Sequence, residues 1–393
     1  MIRRLIVVCN VLDDETRLER EITTDSPAAS RKVSLLCQAL RLAGVRPYVL
    51  SLGRGRTNGA SNFYPVSVRR IDGIPVVYAS FSHLPLFSQL LSFFSPVLLI
   101  WRLRRPVPVV AVFYNRMTAY VPTLLVATAA GYKCVMDLED GEVAGASRKS
   151  VRDRLGRLVP WLFDRLCSGG ALLACSALAG MTKVRPVYCY YGTAVSEASK
   201  TRWSNPSLTF LMAGSLMPET GADTFIEAIQ RLRRESPEWV QQIRFEVTGK
   251  GPSLDAFKAL ANELVAPQVV VHGRTTDAQY REILDRCEVG LALKPIGGAL
   301  ADTTFPSKVI EFAGAGLLVL TTDISDVRQL LGADAIYLSS NEPQDLILLL
   351  KSVADDRAAA SACAEAGSRA VLDRCSPQLA GRDVANFIFG QNV

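Results

Sequence analysis

Histidine is almost missing from this chain: 393 residues contain two, His83 and His272. No CxxC pair occurs, and the nine cysteines stand apart, at 9, 37, 134, 167, 175, 189, 287, 363 and 375. No spacing of His, Cys and Asp suits a metal. An odd, scattered set of thiols inside apolar runs such as Leu172–Cys175 does not make a disulfide frame either. Buried free thiols in a reducing compartment are expected instead. His272 lies in a valine-rich strand and reads as a satisfied core residue, and His83 is not expected to be catalytic. The N-terminus offers only the short apolar run Leu5 to Cys9 before Asn10 and Asp13. That is too short for the apolar core of a secretory leader. It reads as a first strand, and a cytoplasmic location is expected. No recognised nucleic-acid module or aromatic-interleaved basic stripe is present, so nucleic acid is not an expected partner.

Long apolar runs are also lacking. A spanning helix needs about 20 apolar residues, and the nearest candidate, His83 to Trp101, is interrupted by Pro85, Ser88, Gln89, Ser92 and Pro96. It runs straight into Arg102, Arg104 and Arg105. A buried crossover helix, an interfacial patch with its arginines on lipid headgroups and a membrane span all remain open. Charge is unevenly shared: 26 basic against 14 acidic residues in 1–200, and 18 against 24 in 201–393. A basic half joined to an acidic half points to an anionic partner for the first, either a membrane surface or a phosphate-bearing acceptor.

What the chain does have is rhythm. Its length suits two domains, and short β-rich runs alternate with helix-length amphipathic segments, the pattern of α/β folds with parallel sheets. Strands are expected at Leu5–Cys9, Tyr48–Leu52, Pro75–Tyr78, Val107–Phe113, Cys134–Leu138, Ala171–Cys175 and Val187–Tyr190. A second series runs through Leu208–Gly214, Ile243–Val247, Val269–Val271, Val289–Leu293 and Leu317–Leu320. Its helices are expected at Ala222–Arg234, Leu254–Leu264, Asp277–Cys287, Pro306–Ala313 and Pro343–Ala354. The polar stretch Ser196 to Ser207 reads as the linker. Two doubly wound domains facing across a cleft are expected: residues 1–197 with a returning helix near 374–393, and residues 198–373. Ligands of such sheets sit beyond the carboxyl ends of the strands.

Two stretches carry chemistry. Phe305 to Gly316, FPSKVIEFAGAG, reads as a proline-started helix and a glycine stop before a buried strand. Amides near Ser307, Lys308 and Val309 at a helix start would seat a phosphate. Glu311, one turn on, would accept hydrogen bonds from ribose hydroxyls. The plainer reading is a crossover helix with a Lys308–Glu311 surface pair. The second stretch, Met136-Asp137-Leu138-Glu139-Asp140-Gly141-Glu142, places carboxylates just after an apolar strand, where they would bind acceptor hydroxyls or act as base. A capped, solvated loop is its plainer reading. Tyr114 and Asn115, at another strand end, are candidate sugar contacts.

Taken in order, Phe210–Leu216 with Gly221, Phe225–Ile229, Phe245–Pro252, Val270–Arg274, Cys287–Pro295 and the PSKVIEF element resemble glycosyltransferase family 4, retaining nucleotide-sugar transferases of GT-B fold. The resemblance covers 201–373; in the first half only Ser30-Arg31, opening the first long helix, and the strand rhythm carry it. It implies that Glu311 holds the donor ribose, and that Pro306, Ser307, Lys308 and Val309 hold its diphosphate. Gly214 and Ser215 would approach the phosphates, Gly249 and Gly251 would turn beside the base, and Lys294 would lie near the transferred sugar. Three charged donor contacts common in the family are replaced by Ser215, Thr220 and Thr303, which shifts the grip toward Ser307, Lys308 and Glu311. The resemblance further implies sugar transfer from a UDP- or GDP-linked donor to a hydroxyl acceptor with retention, without metal or cofactor, in polysaccharide or glycolipid assembly. Domain closure would exclude water. Glu139, Asp140 and Lys308 are then the expected catalytic groups, and Arg31, Tyr114, Asn115, Glu139 and Asp140 the expected acceptor contacts. The acceptor would be a glycan or lipid-linked, with peripheral contact to an anionic membrane at its inner face. Two alternatives stand beside this: a catalytically degenerate GT-B protein that binds a partner, and a GT-B enzyme such as an epimerase.

Overall fold

A computed structural model describes residues 3–57, 62–104, 109–141, 151–195, 202–298 and 301–390. Glu142, Arg105 and the start of the expected linker, 196–201, lie outside them. The chain divides into two compact units, 1–193 with 377–393, and 194–376.

The first unit is built on eight strands in the order Val187–Cys189, Ala171–Leu173, Lys133–Leu138, Val110–Tyr114, Arg3–Cys9, Val45–Ser51, Ile74–Tyr78 and Ser67–Ile71. All neighbouring pairs are parallel except the last. Strands such as LIVVC and VAVFY read as near-continuous apolar runs because helices cover both faces of a parallel sheet, and Leu5, Val7, Val112 and Val135 are fully buried. The antiparallel edge strand escaped the sequence reading because Val68, Arg69 and Arg70 break the apolar pattern. Helix Pro27–Leu42 starts behind Ser26, whose side chain caps the Ala29 amide. It therefore opens earlier than Ser30-Arg31, and the Ser30 hydroxyl instead accepts the Leu12 amide at 3.1 Å.

Helix Pro377–Phe389 lies against Pro27–Leu42 within the same unit. Their crossing is tight enough that a Cβ at Gly381 would stand 2.0 Å from the Ala39 carbonyl oxygen.

Of the three readings left open for helix Pro85–Leu103, the buried crossover does not fit. Its outward row Leu86, Leu90, Phe94 and Leu98 is exposed, Leu86 at 79% and Phe94 at 65%. Its inward side carries serines. Arg54 Nη1 donates to Ser92 Oγ at 2.6 Å, the Ser80 amide donates to Ser95 Oγ at 3.0 Å, and Tyr132 Oη donates to the Ile100 carbonyl at 2.7 Å. The amphipathic pattern is inside out: polar groups anchor the helix and apolar ones face away. The helix is long and apolar enough to cross a membrane by composition, with 22% of its apolar window buried.

The second unit holds six parallel strands in the order Gln268–Gly273, Ile243–Lys250, Leu208–Ser215, Val289–Ala292, Leu318–Thr322 and Ile336–Leu338. This is the doubly wound order 3-2-1-4-5-6, with its reversal between the first and fourth strands. Ile336–Leu338 was missed because three residues are too few for a pattern. Three expectations about local structure change. Helix Leu254–Asn262 stops before Leu264, which is almost fully exposed. His272 is half-buried at a strand end, and its ring pairs with Glu246 of the neighbouring strand rather than with apolar core. Arg202 belongs to no solvated linker: it is buried and donates to the carbonyls of Leu284, Cys287 and, at 2.8 Å, Ala315. Those carbonyls lie at the ends of helices Asp277–Arg286 and Lys308–Gly314, where the last turn of a helix leaves carbonyls to be satisfied from outside; the Leu284 carbonyl also accepts the Cys287 amide at 3.4 Å.

Gly381→Ala is expected to destabilise the first unit by about 1–3 kcal/mol through overpacking, seen as a lower unfolding midpoint. Gly180→Ala, where a Cβ meets nothing within 4 Å, is the matched control and should leave the midpoint in place.

Candidate functional site

In the second unit the site forms where the strand order reverses. Leu208–Ser215 and Ile243–Lys250 run side by side, with Gly214 opposite Gly249. A Cβ at Gly249 would lie 1.8 Å from the Gly214 carbonyl oxygen, so only glycine allows this approach. Gly251 closes the turn, and the Leu216 amide donates to the Lys250 carbonyl at 2.9 Å. Ser215 is exposed at the strand end. Its carbonyl accepts the Thr220 hydroxyl at 2.6 Å, and the same hydroxyl donates to the Met217 carbonyl at 2.8 Å. Thr220 thus closes this loop.

Helix Lys308–Gly314 faces this strand end. A Cβ at Gly214 would come within 3.3 Å of the Lys308 side chain. The helix starts two residues later than expected: Pro306 precedes Ser307, whose backbone is already helical. The reason is a tight first turn in which the Val309 amide donates to the Pro306 carbonyl at 2.9 Å. The Val309 amide is therefore occupied, which corrects its assignment as an open phosphate donor. The Ser307 and Lys308 amides have no backbone partner among the described residues.

Lys308 and Glu311 do form an ion pair, but both are mostly buried, so it is no ordinary surface pair. The Lys308 ammonium also donates to Tyr280 Oη at 3.1 Å and sits 4.8 Å from that ring's centre. Tyr280, on helix Asp277–Arg286, carries no sequence motif and was missed. Across the reversal, the Lys294 ammonium bonds the Thr304 hydroxyl, and the Thr322 hydroxyl donates to the Lys294 carbonyl at 2.6 Å. Thr303 Oγ1 is shielded from solvent with no partner among the described residues. Asn341 clamps the following loop by bonding both the amide and the carbonyl of Ile296, at 2.8 and 2.9 Å. The structure thus gathers Gly214, Gly249, Lys308 and Glu311 closely, and holds Lys294 by Thr304 and Thr322.

The first unit has its own cluster. Lys133–Leu138 ends on Asp137, Glu139 and Asp140, beside Tyr114 and Asn115 at the end of Val110–Tyr114. Asn115 adopts a positive φ of 64°. Its amide donates to the Asp137 carbonyl at 2.6 Å, and its side-chain oxygen accepts the Arg116 amide at 2.9 Å. Lys32, one residue after Arg31 on helix Pro27–Leu42, pairs with Glu139 and lies 5.1 Å from the Tyr190 ring centre. Burial works against the Lys32 charge, but Glu139, Asp137 and Asp140 together outweigh it and raise its pKa. Sequence reasoning missed Lys32 because its partner lies 107 residues away. Glu139 is thus already engaged by Lys32, whereas Asp140 is exposed. Burial, then Glu139, pushes the Asp137 carboxyl well above the usual range despite Lys32. Burial, followed by the same carboxylates, pushes Tyr114 upward too, so its hydroxyl stays a neutral donor.

The two histidines sit in structural contacts, His272 against Glu246. His83 Nε2 meets the Arg20 carbonyl at 3.1 Å and packs against Tyr64 and Phe81. Glu246 is fully buried. Burial alone would raise its pKa, yet hydrogen bonds from Arg286 and His272 hold it below the usual value.

Asp137 sets a pH dependence. Its folded pKa is raised, so the stability it contributes is present in acid and is lost as pH rises above about 4, its unfolded value. Asp137→Asn stays neutral. Between about pH 5 and about pH 8 its unfolding midpoint should fall less than that of the wild type. Parallel pH profiles would refute the raised pKa.

Comparison with known proteins fits this geometry. Residues 207–356 match the family model described as Glycosyl transferases group 1. A stretch of 156 residues is 24% identical to a phosphatidylinositol N-acetylglucosaminyltransferase subunit of Arabidopsis thaliana, covering 39% of this chain and 33% of that protein. A stretch of 161 residues is 27% identical to the gpi3 subunit of the same-named transferase of Schizosaccharomyces pombe, covering 41% and 33%. The match thus spans about a third of each relative's length. Similar solved structures include Anabaena HepE in complex with UDP and glucose (TM-score 0.67, 13% identity, 98% of both chains). Sucrose-phosphate synthase of Thermosynechococcus elongatus is another (TM-score 0.66, 11% identity, 98% of both). The chain has the GT-B glycosyltransferase fold, and its second unit carries the match to the group 1 glycosyl transferases.

Proposed function

We propose that this chain moves a sugar from a nucleotide-sugar donor to a hydroxyl on a lipid-linked acceptor, with retention of configuration, at the inner face of an anionic membrane, in glycolipid or surface-polysaccharide assembly. The observation that carries the donor half is the Lys308 ammonium, held by Glu311 and Tyr280 against the side-chain-free backbone of Gly214. Glycine leaves room for a diphosphate there, and Lys308 with the Ser307 and Lys308 amides would stabilise the charge that develops as the diphosphate leaves. Glu311 would then take the ribose hydroxyls. Retention requires the acceptor oxygen to attack the anomeric carbon on the face the diphosphate vacates. The bond to the nucleotide breaks, and the hydroxyl proton passes to the departing phosphate oxygen. No free base is needed for that, which suits a Glu139 already paired with Lys32. Tyr114, Asn115, Arg31 and Asp140 would bind acceptor hydroxyls. HepE holds UDP and glucose in its own structure, which supports a uridine nucleotide as the first donor to try.

The membrane half is supported by helix Pro85–Leu103. Its outward row of Leu86, Leu90, Phe94 and Leu98 ends at Trp101, with Arg102 and Arg104 next to it. Arg104 lies 3.4 Å from the Trp101 ring centre. Apolar side chains flanked by an aromatic and arginines are the composition of an interfacial helix. The helix is bonded to its own unit along the serine side, which favours lying on a bilayer over crossing it. The two curated relatives are named for transfer to phosphatidylinositol, a lipid.

A second reading, a binding component without turnover, draws on Thr220 being consumed in loop closure and on the relatives being named as subunits. Binding of UDP-, GDP- and ADP-linked sugars, followed by thermal shift, separates the two. One nucleotide class should stabilise the wild type, and Glu311→Ala or Lys308→Ala should weaken that binding about tenfold or more, the scale of a lost charge-assisted contact. Stabilisation by none of them would favour the binding-component reading. Leu90→Glu with Phe94→Glu, both exposed, should abolish flotation with vesicles containing phosphatidylglycerol. Unchanged flotation would remove the membrane from the proposal.

A further inference from the structure

The first unit has a second feature of chemical interest, at the end of its sheet where the parallel strands begin, opposite to the end that carries Tyr114, Asn115 and Glu139. A cavity of about 410 Å³ opens where Val45–Ser51 and Ile74–Tyr78 begin and where the antiparallel Ser67–Ile71 ends. Three arginines line it: Arg41 from the last turn of Pro27–Leu42, Arg46 from the start of one strand, and Arg70 from the end of another. All three are exposed. The Arg41 guanidinium is aimed by its bond to the Asp72 carbonyl at 2.9 Å. The carboxylate of Asp72, in the neighbouring turn, is occupied elsewhere, accepting Ser34 Oγ at 3.1 Å and Gln38 Nε2 at 3.0 Å. Neither Arg46 nor Arg70 forms an ion pair with a carboxylate among the described residues.

Three arginines from separate elements line one cavity, and an anion seated there would be attracted by all three. Their planar forks match phosphate oxygens, and Arg is the residue favoured where phosphate is recognised bidentately. The volume lies in the range of small-molecule pockets, about 300–1,000 Å³. Pro47 and Pro75 give it rigid, apolar walls. The same edge is basic beyond the cavity: Arg4 lies 5.1 Å from the Tyr48 ring centre, and Arg4 and Arg104 both act on Tyr132.

We infer that this cavity is a phosphate-binding site, separate from the donor site, that takes a phosphate or pyrophosphate group presented by a lipid headgroup or by a soluble molecule. It requires nothing from the donor reading, since every residue involved belongs to the first unit and stands away from its acidic cluster along the strands.

The test is calorimetric titration of the full chain with inorganic pyrophosphate, comparing wild type, Arg46→Gln/Arg70→Gln and Lys308→Gln. The arginine pair is exposed, so folding should be retained, and far-UV circular dichroism checks it. The expected result is that the arginine variant loses about tenfold or more in affinity for one pyrophosphate, while Lys308→Gln keeps that site. Identical titrations of wild type and arginine variant would overturn the inference, as would a wild type whose pyrophosphate binding disappears entirely in Lys308→Gln. Phosphatidylglycerol vesicles then identify the source. If they displace pyrophosphate from the arginine site, the occupant is a headgroup; if they bind the protein without displacing it, the occupant is soluble.

Discussion

The candidate donor site depends on one buried guanidinium that touches none of its groups. Arg202 gathers carbonyls from the ends of Asp277–Arg286 and Lys308–Gly314. Those two helices carry Tyr280, Lys308 and Glu311, and the distance between the Tyr280 hydroxyl and the Lys308 ammonium is set by how the helices lie. A charge taken out of water is tolerable only with several good acceptors, and here the acceptors are three carbonyls at helix ends. Burial lowers the Arg202 pKa, a sign of how little water reaches it. The interaction therefore solves two problems at once, and it fixes the relative position of two site-bearing elements as a by-product.

The two units manage charge in different ways. The second satisfies its buried carboxylates locally: Glu246 by Arg286 and His272, and Glu288 by hydrogen bonds from the Thr209 amide at 2.7 Å and Asn205 at 3.2 Å. The first spreads basic groups over its surface and holds acid in two places, around Lys32 and at Asp13 to Glu19, where Arg69 pairs with Glu15 and Glu19. Its Arg20 is a limiting case, buried among Tyr64, Tyr78 and Phe81 with two backbone carbonyls as acceptors. A unit that can bury a cation in aromatics has arginines elsewhere that face outward with no such shelter, and these gather at the edge where its strands begin.

Much of the architecture was legible in the sequence because parallel strands buried on both faces leave continuous apolar runs, as in LIVVC, VAVFY and LTFLM. Ser67–Ile71 was not legible: an edge strand with Arg69 and Arg70 has no such run. Boundaries failed where hydrogen bonding decides them, at Ser307 and Pro306 above all. Motif spacing placed Gly214, Gly249, Lys308 and Glu311 together, since local turns and a helical repeat connect them. It was blind to Tyr280, Lys32 and Arg202, whose partners are distant along the chain and whose neighbours form no pattern. Hydropathy alone left three readings open for Pro85–Leu103. Composition reports how apolar a helix is but not which side its serines will bond, and Ser92 and Ser95 turned the apolar row outward.

That inverted helix has a consequence for how the protein behaves on its own. Leu86, Leu90, Phe94 and Leu98 form a ridge along one helix, and contiguous exposed apolar surface is a self-association site whenever nothing else covers it. Two molecules meeting ridge to ridge would bury the same side chains from water that a bilayer would. Such an association would depend on protein concentration, and a mild detergent that covers the ridge would oppose it.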